Sequence, residues 1–294
     1  MNLKTKAIQT AIYLLSRLSL KNMHRIGNVL GWLGSHSPNR VRKIAKTNIM
    51  RCFPEQSVKQ QKELLRRCFQ EMAKSLVEAP AFWLQPLEKL APLIVKVSGE
   101  AEFTADLAKN KGVILLGAHM GAEELLNAYI SPRYPGTWIY RPQRGYLETL
   151  VHQSRERFGS KFVPTTSAGV RALYKALHNA QVIGMSCDHN APEQSGIFAP
   201  FFGIQTWTMT LAIRFAQKTR APVYLVHAER LANAQGFHMH FVKVEDEIYS
   251  LDDLRAATTM NQTLETYIRL HPEQYQWAYK RFRRRPPGDA AFYV

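Results

Sequence analysis

Cysteine is scarce in this 294-residue chain. Cys52, Cys68 and Cys187 lie far apart and form no CxxC pair, which excludes a disulfide framework and a cysteine-built zinc site and leaves reduced, buried thiols. Long apolar runs are missing as well: none approaches the ~18 residues of an ordinary membrane-spanning helix. Residues 5–20, TKAIQTAIYLLSRLSL, come nearest, with Ile8, Ala11, Ile12, Leu15 and Leu18 at helical spacing but Lys6 and Arg17 among them. No small-residue cleavage site follows a short apolar core, so a secretory signal fits poorly. An amphipathic helix lying in a membrane interface fits better, and a helix packed on the domain is the competing reading. Acidic residues are few, 23 against 39 lysines and arginines, for a formal charge of +16. That balance calls for an anionic partner: nucleic acid, an anionic membrane surface or a phosphorylated substrate. No helix-turn-helix or RNP-like aromatic pattern supports nucleic acid. No GxSxG elbow is present, which argues against a hydrolase with a covalent acyl-enzyme. Low-complexity tails, internal repeats and linkers to a second independent domain are absent too.

What is present is a core-forming chain, 46% hydrophobic and 11% aromatic, with basic clusters at 39–51, 62–67 and 280–285. Residues 1–91 read as helical and, with the basic clusters, as a membrane-associated platform. Segment 56–79 carries Val58, Leu64, Leu65, Phe69, Met72 and Leu76 near a 3.6 period, and Pro80 and Pro86 punctuate it. From 92 to 294 the pattern becomes one continuous α/β unit. Strands are expected at 93–99, 113–118, 137–140, 161–164, 182–188, 223–230 and 236–244. Helices are expected at 99–110, 121–130, 146–159, 168–180, 206–220 and 252–270. Such alternation predicts a largely parallel sheet of about seven strands flanked by helices.

Ligand sites in such sheets lie beyond the carboxyl ends of strands. There the stretch VILLGAHMGAEELL (113–126) sets His119 at a strand mouth, with Glu124 five residues on. Two residues so spaced inside one helix would stand about 140° apart. If the strand ends at Ala118 and the helix begins after the histidine, Glu124 can fold back to the ring, fix its tautomer and strengthen it as a base. Three roles stay open for His119: core residue, metal ligand, or proton acceptor with Glu124 as its orienter. The metal reading is the weakest, since the motif is not HExxH and no second histidine shares a face. His238 and His240 of FHMH do share a strand face, but with no third ligand evident they read as ordinary sheet residues. Neither a metal nor another cofactor is expected.

KGVILLGAHMGAEELL (111–126) resembles the signature of the bacterial lipid A late acyltransferases. Four further blocks are similar in the same order: NIMRCFPEQS (48–57), WIYRPQRGYLETLVHQSRERFG (138–159), VIGMSCDHNAPEQSGIFAPFFGIQTWTMT (182–210) and HPEQYQWAYKRFRRRPPG (271–288). Together they span nearly the whole chain. The resemblance implies a glycerolipid-acyltransferase-like (lysophospholipid-acyltransferase-like) α/β fold at the cytoplasmic face of the bacterial inner membrane. It implies transfer of a fatty acyl chain from acyl carrier protein to a hydroxyl of a lipid A precursor. His119 would be the general base and Glu124 its orienter. Arg141 and Arg155 would bind phosphate or polarise the acyl carbonyl, and Asp188 would be a further site residue. Three departures stand out: Ala122-Glu123 for the usual Asn-Trp, Trp207 for a small residue, and Ala278-Tyr279 for Leu-His. The first two are expected near the site, where they bear on chain length or acceptor.

Competing functions are a phospholipid, ornithine-lipid or other glycolipid acceptor within the same fold, and a non-catalytic basic protein binding membrane or nucleic acid. The second would explain the charge but not a base-like histidine at a strand mouth.

Overall fold

The computed structural model describes residues 3–142 and 145–293. Five helices lead: α1 (Leu3–Ser16), α2 (Leu20–His36), α3 (Arg40–Cys52), α4 (Val58–Leu84) and the short α5 (Leu87–Leu90). Ser57 and Gln60 form a capping box that starts α4, each satisfying a backbone N–H that the first turn leaves open. Its buried stripe runs through Leu64, Leu65, Cys68, Phe69, Ala73 and Val77. Val58 and Leu76, expected on that stripe, are 67% and 71% exposed. Pro80 does not end the helix, which continues to Leu84. The carbonyl that proline deprives of a partner belongs to Leu76, on the exposed side, where water can take the bond. Gly27 and Gly31 let α2 lie close on α4: a Cβ at Gly31 would come 2.3 Å from Gln70 Cα.

Beyond a 3-10 turn come β1 (Ile94–Ser98), α6 (Glu100–Leu107), β2 (Val113–Gly121), α7 (Glu123–Arg133), β3 (Gly136–Tyr140), α8 (Tyr146–Glu156), β4 (Lys161–Pro164), α9 (Ser167–His178) and β5 (Val182–Ser186). They are followed by β6 (Gly196–Phe201), β7 (Ile204–Met209), α10 (Leu211–Thr219), β8 (Val223–Arg230), β9 (Phe237–Lys243) and α11 (Asp253–Leu270). Seven strands form one sheet in the order β1-β9-β8-β2-β5-β3-β4. The strands from β8 to β4 are mutually parallel, and β9 and β1 run against them. The α/β fold and the mostly parallel seven-stranded sheet are thus as the alternation indicated.

Central β2 is buried on both faces, with Val113 through Leu116 at most 1% exposed, as a parallel strand covered by helices must be. One core lies between the sheet and α9, α10 and α11; the other lies on the side of α6 and α7.

Three differences from expectation bear on the site. β2 runs on to Gly121 instead of ending at Ala118, and β5 ends at Ser186. Residues 206–220 are not one helix: TWTM buries Thr206 and Thr208 but not Trp207 or Met209, a two-residue period that makes it strand β7. It pairs with β6 across Phe202-Gly203, both at positive φ, the conformation a two-residue hairpin turn requires.

The α1–α2 region bares Tyr13, Leu14, Val29, Trp32 and Leu33 at 48–60% exposure. No described helix is long and apolar enough to cross a membrane.

Candidate active site

The chain leaves β2 toward β3 on one side and leaves the adjacent β8 toward β9 on the other, the place where such sheets open a crevice. Its last residues are not in regular register. Gly117 pairs with Val226 and Gly121 with Ala228, so three residues of β2 stand against one of β8. A bulge of this kind re-aims a side chain next to a site, and here the re-aimed residue is His119. Gly121 closes the bulge at φ +66, with no room for a Cβ, which would meet the Ala228 carbonyl oxygen at 1.9 Å.

The neighbouring strand β5 delivers Asp188 beside it. Asp188 accepts the His119 backbone N–H at Oδ2 (3.0 Å), and its Oδ1 faces His119 Nδ1 at 2.8 Å. The carboxylate is 1% exposed. Burial alone would raise its pKa, but His119 outweighs it and holds the group well below the ordinary carboxylate range. Burial likewise pulls His119 down, while the charge of Asp188, helped by Glu123, outweighs it and lifts the imidazole to about 9. Nδ1 is thereby fixed as a donor, and Nε2 faces outward, 3.9 Å from Glu123 Oε2.

The carboxylate on the ring is therefore Asp188, and Glu124, expected there, is turned elsewhere. Glu124 accepts from Arg155 twice, from Nη2 at 2.6 Å and from Nε at 3.2 Å. The physical reason is the length of β2. With the strand continuing to Gly121 and the helix starting at Glu123, His119 and Glu124 are not on adjoining turns. Arg155, on α8, is correspondingly committed to Glu124 rather than free for a phosphate. Arg141, just past β3, is exposed and makes no ion pair among the described residues. Gln143 and Arg144 of the same block lie outside the described residues.

His189 escaped the sequence reading. Its ring stacks on His119 at 3.7 Å and 12°, and on Tyr279 at 4.1 Å. Burial and the His119 charge push it down to about 4, so it is a neutral slab behind the imidazole. Tyr279, from the one departure not expected near the site, is thus beside it, and its hydroxyl accepts the Asn190 N–H at 3.0 Å. Trp207 packs on Phe198 and donates to the Pro192 carbonyl. The signal for His189 was its position directly after Asp188 at a strand end. Ligand atoms of His119, Asp188 and His189 lie within 4.8 Å of one another, but both oxygens of Asp188 are already engaged by His119.

A cleft of ≈ 110 Å³ opens alongside, lined by Gly117, Ala118, Leu126, Trp138, Ile139, Phe162 and Met185 with Glu123, Glu124 and Arg155. Trp138 forms its floor by lying directly on Gly184, where a Cβ would come 2.0 Å from the ring. Arg281, in the basic cluster at 280–285, is only 2% exposed and donates to the Trp207 carbonyl at 2.5 Å.

A family profile described as bacterial lipid A biosynthesis acyltransferase matches residues 7–284. Curated proteins similar to the chain include the lipid A biosynthesis palmitoleoyltransferase of Escherichia coli K12, 27% identical over 92% of this chain and 87% of the relative. The lauroyltransferase of the same organism is 26% identical over 96% and 92%, and its myristoyltransferase 22% over 90% and 81%. The chain is an acyltransferase. It belongs to the bacterial lipid A biosynthesis acyltransferase family.

Proposed function

We propose that the protein moves a fatty acyl chain from acyl carrier protein to a hydroxyl of a lipid A precursor, with His119 as general base. The observation that carries this reading is the double grip of Asp188 on His119, which orients Nε2 outward beside an apolar cleft. In the neutral ring, Nε2 accepts the proton of the acceptor hydroxyl as its oxygen attacks the acyl thioester carbonyl. The tetrahedral intermediate collapses by breaking the C–S bond, and the imidazolium returns the proton to the departing thiolate. No enzyme nucleophile is needed. Asp188 stabilises the imidazolium, and His189 backs it without competing for the proton. Arg155 and Glu124 form one wall of the cleft, and exposed Arg141 is, among the described residues, a cation available to a substrate phosphate.

The work takes place at the cytoplasmic face of the inner membrane, with the exposed apolar residues of α1 and α2 seated in the interface and the +16 chain held to anionic headgroups. The test is transfer from labelled acyl-acyl carrier protein in membranes, with products read by mass spectrometry. His119→Ala should abolish transfer. Undiminished transfer would remove the base, and an intact reaction on another lipid with none on lipid A precursor would remove the acceptor.

A further inference from the structure

A second cluster of histidines lies outside this site, on the antiparallel side of the sheet. The register of β8 and β9 sets His227 opposite His240 and Glu229 opposite His238. All four therefore share one face, while Ala228, Arg230, Met239 and Phe241 take the other. Glu229 Oε2 stands 2.9 Å from His240 Nε2 and 3.4 Å from His238 Nδ1. His271, at the end of α11, brings Nε2 to 3.5 Å from the other oxygen of the same carboxylate. Three imidazoles from two separate stretches of chain thus converge on one carboxylate supplied by a third.

The spacing is that of a metal centre. Ligands at ~2.0–2.1 Å around a tetrahedral zinc lie about 3.3 Å from one another, and the ligand atoms of Glu229, His238 and His240 all lie within 4.8 Å of each other. The outward nitrogen of His238 meets Ser98 Oγ at 2.7 Å, the kind of second contact that orients a metal-binding imidazole. His227 lies under His240, rings 4.4 Å apart and parallel within 3°, and neither of its nitrogens finds a hydrogen-bond partner.

We propose that Glu229, His238 and His240 form a structural Zn²⁺ site, completed by His271 after a small rotation of the Glu229 carboxylate. The ion ties the β8–β9 edge to the end of α11. His271 opens the segment in which Gln274 exchanges two hydrogen bonds with the Arg230 backbone and Gln276 donates to the His119 carbonyl at 3.0 Å. Zinc there would hold the segment that backs the proposed base.

The test uses the full chain without a polyhistidine tag, stripped with chelator and dialysed against Zn²⁺, with metal measured by plasma mass spectrometry and affinity by chelator competition. One equivalent is expected, and an excess of roughly 100 times Kd should raise Tm by several degrees. Co²⁺ in its place should give the intense visible bands of a tetrahedral ion. His240→Ala should weaken binding at least tenfold. His271→Ala, at a partly exposed helix end, serves if that variant does not fold. The proposal is overturned if the stripped protein takes up no stoichiometric zinc, if both variants bind as tightly as the parent, or if binding is lost with His189→Ala and kept in His240→Ala.

Discussion

Asp188 holds His119 at two points, ring and backbone, so the imidazole is fixed in direction as well as in protonation. Replacing Asp188 by Asn preserves the shape and removes the charge. The neutral ring is the reactive form, so the acid limb of kcat/KM in the parent should lie near 9. In Asp188→Asn it should move down toward the ordinary ~6.5, with kcat reduced about 10²–10⁴-fold. A pH–rate profile checks both; an unmoved limb would sink the pairing.

Glu124 makes the opposite prediction. Because it binds Arg155, Glu124→Gln should leave the acid limb in place. Arg155→Ala strands a carboxylate that is 13% exposed, and should cost about 1–3 kcal/mol of stability. Denaturant midpoints measured beside the pH profile separate the two carboxylates.

Stability should follow the His119 proton. Its folded pKa, about 9, exceeds the unfolded ~6.5, so the pair's contribution is complete below pH ~6.5 and is lost as pH rises through about 9. Melting curves of the parent should therefore drop more between those values than curves of His119→Gln.

Arg230 lies under the sheet at 4% exposure, joined to Glu78 by two hydrogen bonds and to Glu71 by one, with His24 of α2 on the same Glu78. Arg230→Met leaves Glu78 buried without its cation and should destabilise by about 3–5 kcal/mol. Urea unfolding measures it.

Gly184→Ala should act on chain selection. The new methyl would collide with Trp138, so the ring must move and the cleft floor with it. Rates across a series of acyl donors of different length should change unequally; a uniform loss would mean Trp138 does not contact the chain.

Much of this was legible in the residues. Alternation of short apolar runs with helical segments was enough for the seven-stranded sheet, and the Gly-Ala-His step was enough for His119. What escaped detection depended on strand neighbours distant in sequence. Asp188 reaches His119 only because β5 lies beside β2, and local spacing pointed to Glu124 instead. FHMH displayed two ligands on one face, but Glu229 and His271 join them through β8 pairing and the end of α11. The β6–β7 hairpin was obscured because TWTMT runs directly into a helical pattern.

The bond from Gln276 to the His119 carbonyl and the stacking of Tyr279 behind His189 also set an order of events during synthesis. Helices α1 and α2, with their exposed apolar side chains, leave the ribosome well before the residues that back His119. A growing chain thus carries those apolar side chains before it has a finished site, and acyl transfer waits for the segment around Gln276 and Tyr279.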